Sequence, residues 1–147
     1  MIQPGVLAGN KATFFPADLD APHSWSYTVD TARTAVAAAR HPQSWGRAWH
    51  VPSTADLSVR ELTRLIAEAA GTGPADLATM TRDELAALAA ADSIAAEVPE
   101  MLYMYERPAV LDSSETRRLL GVEATPVGAV VAEIVRQSGS DRSSTKR

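Results

Sequence analysis

Two capping boxes decide where helices must begin in this chain. Ser58 stands three residues before Glu61, and Thr81 three before Glu84. At that spacing each side chain bonds the backbone N–H that the other residue leaves free, so the chain turns sharply into a helix. Leu57 with Leu62, and Met80 with Leu85, add apolar staples across the two starts. After the first box, Leu62, Leu65, Ile66 and Ala69 form one apolar stripe, and Gly71 supplies the left-handed stop. The second box predicts an alanine-rich helix running towards Ala96.

Other elements read less sharply. Gln3-Pro4-Gly5 reads as a turn, and Ala12-Thr13-Phe14-Phe15 as a short piece stopped by Pro16. From His23 to Val29 the residues alternate, with Trp25, Tyr27 and Val29 on one side, which predicts a strand with one buried face. Asp30 then reads as the N-cap of a helix over 31–40, with Ala32, Val36 and Ala39 on a shared face. Residues 48–51 are a second strand candidate. Pro99 opens a short helix that reaches Tyr105, and Val110-Leu111 is extended. Asp112 or Ser113 caps a turn of helix that Gly121 ends. Thr125 reads as the cap of a last helix with Pro126 at its first position and Val127, Val130, Val131, Ile134 and Val135 inward. Residues 138–147 carry no large apolar side chain and are expected to form a disordered tail behind a single unit over 1–137. The fold class expected is mixed α/β: several helices, a few short strands and no complete Rossmann sheet.

Composition narrows function by exclusion. Hydrophobic residues make up 46%, but 27 of the 147 positions are alanine, so the core is thin in large side chains and marginal stability is expected. A net charge of −4 argues against a surface built to grip phosphates of nucleic acid. No apolar run approaches a membrane span, and Met1 opens no secretory signal, so a cytoplasmic protein is expected. The absence of cysteine removes disulfides, thiolate metal sites and cysteine nucleophiles.

Chemical motifs fail one by one. Gly71-Thr72-Gly73 lacks the third glycine of a dinucleotide turn and follows a helix instead of a strand. No Gly-x-Ser-x-Gly and no Tyr-x-x-x-Lys occur, and Tyr103 with Arg107 is only a faint imitation of the second. His23, His41 and His50 have no metal-type spacing, and Asp18 with Asp20 offers a hard cation too few oxygens. His23 is the most interesting histidine, because it enters a strand beside Trp25 and Tyr27.

Taken in order, several segments resemble the NAD-dependent epimerase/dehydratase group, the extended short-chain dehydrogenases. These are residues 19–32, Leu-Asp-Ala-Pro-His-Ser-Trp-Ser-Tyr-Thr-Val-Asp-Thr-Ala; Gly46-Arg47-Ala48-Trp49-His50-Val51-Pro52-Ser53; Leu57-Ser58-Val59-Arg60-Glu61-Leu62; and Leu111-Asp112-Ser113-Ser114 with Gly121 and Thr125-Pro126. The likeness spans residues 6–136 and covers only the back half of such an enzyme. It implies a substrate-binding C-terminal portion with no catalytic residue and no cofactor site of its own, NAD or NADP belonging to the whole family enzyme. His23, Trp25 and Tyr27 are the substrate-binding residues it suggests. Where sugar-nucleotide epimerases carry an arginine to fork a diphosphate, this chain has His23, which favours a smaller carbonyl or hydroxyl compound. The partners expected are a small-molecule substrate, and no nucleic acid or membrane. The rival expectation is a non-enzymatic interaction module that docks on itself or on a Rossmann-type chain through its uncovered apolar surface.

Overall fold

The computed structural model describes residues 4–144. Its elements in chain order are α1 (Pro4–Ala8), β1 (Ala12–Phe14), β2 (His23–Trp25), α2 (Thr28–Arg40), β3 (Ala55–Leu57), α3 (Val59–Ala70), β4 (Leu77–Thr79), α4 (Arg82–Ala91), α5 (Val98–Met101), α6 (Ser114–Leu120) and α7 (Val127–Ser144). Short 3₁₀ turns lie at Pro42–Ser44, Ala95–Glu97 and Leu102–Met104. The result is mixed α/β, with helices dominant and the strands gathered in two small sheets. β1 and β4 pair in parallel, Ala12 opposite Leu77 and Phe14 opposite Thr79. β2 and β3 pair antiparallel, His23 opposite Leu57 and Trp25 opposite Ala55, and His23 also bridges Ala109 on the other side.

Both capping boxes form. Ser58 Oγ accepts from Glu61 N at 3.1 Å while the Glu61 carboxylate accepts from Ser58 N at 2.8 Å. Thr81 and Glu84 repeat the exchange at the start of α4. Gly71 and Gly121 close α3 and α6 with φ of 66° and 63°, where a side chain would be strained. Asp112, one of the two caps foreseen for α6, accepts from Ser114 N at 2.8 Å.

Elsewhere tertiary packing overrules the local pattern. Pro4 and Gly5, read as part of a turn, instead start α1, where Pro4 takes a first position it tolerates well, and Gln3 lies outside the described residues. Gly5 is needed there because a Cβ would run into the Lys11 carbonyl oxygen. The strand expected over 23–29 stops at Trp25, and α2 has begun by Thr28, so Val29 is exposed on a helix. Residues 48–51 are not a strand: β2's partner is β3, and Thr54 N donates to Trp25 O at 2.7 Å beside it. α4 ends at Ala91, since the Asp92 carboxylate takes the amides of Ile94 and Ala95 and starts a new turn. The helix foreseen through Tyr105 becomes α5 followed by a 3₁₀ turn. Val36 does not face inward either, being half exposed, while Asp30 and Thr34 carry α2's buried side. The tail expected from Ser138 begins inside α7, whose backbone stays helical through Ser144, as no proline interrupts it; residues 145–147 lie outside the described residues.

Asp30 and Thr125 are the most instructive correction. Neither caps its own helix through its side chain. Asp30 lies in the first turn of α2, fully buried, and its carboxylate accepts from Thr125 N at 2.6 Å and Thr125 Oγ1 at 2.9 Å. Arg33, whose side chain is largely exposed, adds a third bond at 3.1 Å. A buried carboxylate needs such partners, and this one ties the start of α2 to the approach of α7. The core it braces is modest. Val6, Ala12, Ile66 and Val131 form one cluster where α1, β1, α3 and α7 meet, and Leu85, Val98 and Leu102 form another under α4 and α5. Burying side chains such as Val6 and Ile66 contributes about 1.5–3 kcal/mol each. Among the described residues no helix is long and apolar enough to cross a membrane.

Two outcomes follow. Asp30→Ala strands the Thr125 amide and hydroxyl and is expected to cost about 2 kcal/mol in urea unfolding, with Asp30→Asn costing less because one acceptor oxygen remains. Bonds from Ser58 hold the Glu61 carboxyl below the ordinary range, and bonds from Thr81 do the same for Glu84. Their stabilisation is full above the unfolded value, about 4.5, and is lost as pH falls through the lower folded values. Acid unfolding curves of Glu61→Gln are therefore expected to decline less steeply below that pH than those of the unaltered chain.

Candidate functional site

The end of β2 and the chain leading into α2 carry two of the three expected site residues to one cavity. Tyr27 is extended (φ −80°, ψ 134°), and its carbonyl accepts from Thr31 N at 3.0 Å, so the start of α2 holds its backbone. From there the side chain crosses to α7, where the hydroxyl donates to Glu133 Oε2 at 2.7 Å. Glu133 Oε1 accepts from Gln137 Nε2 at 2.8 Å, one helical turn on. Trp25 is anchored by its indole N–H, which donates to Leu57 O at 2.8 Å. Together they rim a cavity of about 390 Å³ whose walls are the inner faces of α3 and α7, with Val6 and Phe14 beneath. Its lining is mostly apolar, including Leu62, Ile66, Val130 and Ile134.

His23 stands apart. It sits in the middle of the β3–β2–109 pairing and does not line the cavity. The structure thus brings Trp25 and Tyr27 together and leaves His23 outside. Three residues that the sequence reading did not single out belong to the cavity or its rim: Thr54, Glu133 and Gln137. Thr54 lies two residues past Pro52 in an irregular stretch, and its Oγ1 is buried without a hydrogen-bond partner. Glu133 meets Tyr27 across 106 positions, a pairing with no local signature; only the i, i+4 spacing of Glu133 and Gln137 hinted at a bond.

The remaining candidates have structural duties. His50 Nδ1 lies 2.9 Å from Asp112 O, and its own carbonyl accepts from Thr116 Oγ1 at 2.7 Å, which pins the 45–53 loop to α6. Arg47 stacks over Trp49 at 4.3 Å and bonds Glu115. Asp20 is gripped by Arg60 at 2.7 and 3.2 Å, and Asp18 accepts from Asp20 N, so the two carboxylates are engaged with the chain itself. Among the described residues, no group of three or more histidines and carboxylates is placed to hold a metal. Arg107 Nε donates to the Tyr103 carbonyl and its guanidinium rests near that ring, a packing arrangement.

The amides of Gly71 and Thr72 are spent on the carbonyls of Ala67 and Glu68 in the cap of α3, and no lysine or arginine lines the cavity.

No family model matches the chain, and no curated protein does. A solved structure of a nucleoside-diphosphate-sugar epimerase from Staphylococcus aureus is similar in fold, with a TM-score of 0.63 and 17% identity. The match covers 82% of this chain and 43% of the epimerase, so the chain spans less than half of that protein's length. The likeness establishes a common architecture over that part.

The bond to Glu133 raises the Tyr27 pKa above its ordinary value, since a carboxylate beside the phenol disfavours a second negative charge. In a Tyr103→Phe/Tyr105→Phe chain, where Tyr27 is the remaining tyrosine, its ultraviolet titration is expected above about 10 and should fall back when Glu133→Gln is added. A raised folded pKa contributes stability below the unfolded value and loses it as pH climbs through the folded one, so alkaline unfolding should follow the same midpoint.

Proposed function

We propose that this chain is the substrate-binding part of an NAD(P)-dependent epimerase/dehydratase-like or reductase-like enzyme, inactive without a Rossmann half. The observation that carries this reading is the apolar cavity rimmed by Trp25 and Tyr27, in a chain whose fold resembles part of a sugar-nucleotide epimerase. In such an arrangement the cavity holds and orients a small carbonyl or hydroxyl compound, Trp25 and Tyr27 supplying flat and polar contacts. His23 stands in the neighbouring strand pairing, outside the cavity. Hydride chemistry and the dinucleotide belong to the other half, and no step of it is carried by this chain's residues.

A second reading has its own support. Ile94 is 80% exposed and Trp45 67%, and Tyr103 and Met104 are exposed as well. Apolar groups left in water in this way favour an interaction module that docks on itself or on a dehydrogenase-like chain.

Calorimetric titration of NADH and NADPH into the full chain, paired with sedimentation velocity, separates these. The first reading expects no measurable dinucleotide binding and a monomer. A submillimolar dissociation constant for either nucleotide would overturn it, and concentration-dependent self-association would favour the interaction module.

A further inference from the structure

We infer that the cavity takes the hydrocarbon body of a neutral, one-ended amphiphile and leaves the ligand's carbonyl or hydroxyl oxygen at the mouth. This rests on the reading of the cavity as a binding site, and it adds which end of the ligand goes in. At about 390 Å³ the cavity is within the size range of small-molecule sites, roughly 300–1,000 Å³.

The lining sorts by depth. Its exposed residues are Ser26, Thr28 and Gln137, and all three are polar. Ser26 and Thr28 flank Tyr27 in the chain, and Gln137 shares the Glu133 carboxylate with Tyr27, so one bonded group gathers them at the mouth. Further in, the half-buried walls are Phe14, Leu62, Val127, Val130 and Ile134.

The hydrogen-bond donors set among those walls are already committed. The Trp25 indole N–H is bonded to Leu57 O, and the Tyr27 hydroxyl to Glu133. Thr63 Oγ1 donates inside α3, to the carbonyls of Val59 and Arg60 at 2.9 and 3.0 Å. Thr54 Oγ1 is sealed from solvent. No charged side chain belongs to the lining.

An apolar body that enters gains by leaving water. An oxygen or a charge carried inward loses its hydration and meets no partner. The polar end of the ligand therefore stays at the mouth, where hydroxyls and water serve it. Because a serine or threonine hydroxyl both donates and accepts, a carbonyl and its carbinol are held alike. In either form the oxygen remains accessible from outside the cavity.

Hexan-1-ol, octan-1-ol and octane-1,8-diol are the probes that test this. Calorimetric titration into the full chain should show octan-1-ol about tenfold tighter than hexan-1-ol, for two more buried methylenes. The diol must bring its second hydroxyl inward and should bind at least about tenfold more weakly than octan-1-ol. During titration with octan-1-ol the methyl resonances of Leu62, Val130 and Ile134 should shift, while those of Ile94, 80% exposed and outside the cavity, should not. Equal binding of diol and octan-1-ol, or no gain with chain length, overturns the amphiphile while leaving the cavity a binding site. Shifts at Ile94 without shifts at the three wall residues, or failure of every probe to bind, overturns the cavity's role as well, independently of the dinucleotide titration.

Discussion

The buried carboxylate of Asp30 is the constraint on which the rest of the architecture leans. It joins residues 95 positions apart, and both of its oxygens are engaged with the same threonine. Because Asp30 is in the first turn of α2 and Thr125 stands just ahead of α7, one bonded group sets the approach of two helices. Tyr27, three residues before Asp30, and Glu133, eight after Thr125, are brought to hydrogen-bond distance across that clamp. The cavity exists because α7 is held in register against α3 and the end of β2. A side chain outside the cavity thus fixes the geometry of those that rim it.

Helix starts were legible in the sequence because they are local. Ser58–Glu61 and Thr81–Glu84 need only residues three apart, and the glycine stops at 71 and 121 need only a backbone conformation. The Val127, Val130, Val131, Ile134 stripe of α7 was equally readable, since a 3.6-residue period repeats often over a long helix. Strands of three residues are too short to show a period, so β3 and β4 leave no alternation to read, and the apolar 48–51 pairs with neither. Asp30 and Thr125 looked like caps because the residue types suit caps; burial gave them a long-range bond instead. The same logic divides the site. Trp25 and Tyr27 stood out through the resemblance carried by residues 19–32, but Glu133 acquires meaning only from Tyr27, 106 positions away.

Two physical facts about the cavity pull in one direction. Its walls are aliphatic and aromatic, so they reward an apolar body, and the polar groups reaching it come as hydroxyls and an amide, without a positive charge. The architectural neighbour is described as acting on nucleoside-diphosphate sugars, which are multiply anionic. A shared backbone layout leaves the pocket chemistry open, since a fold positions side chains without dictating them.

The parallel pairing of β1 with β4 has a consequence for how the molecule assembles. β2, α2, β3 and α3 all lie between the two strands in the chain. Loop-closure entropy must be met before so remote a contact returns anything, so β1 waits with open amides while the intervening elements organise. During synthesis that wait lasts until Leu77 has emerged.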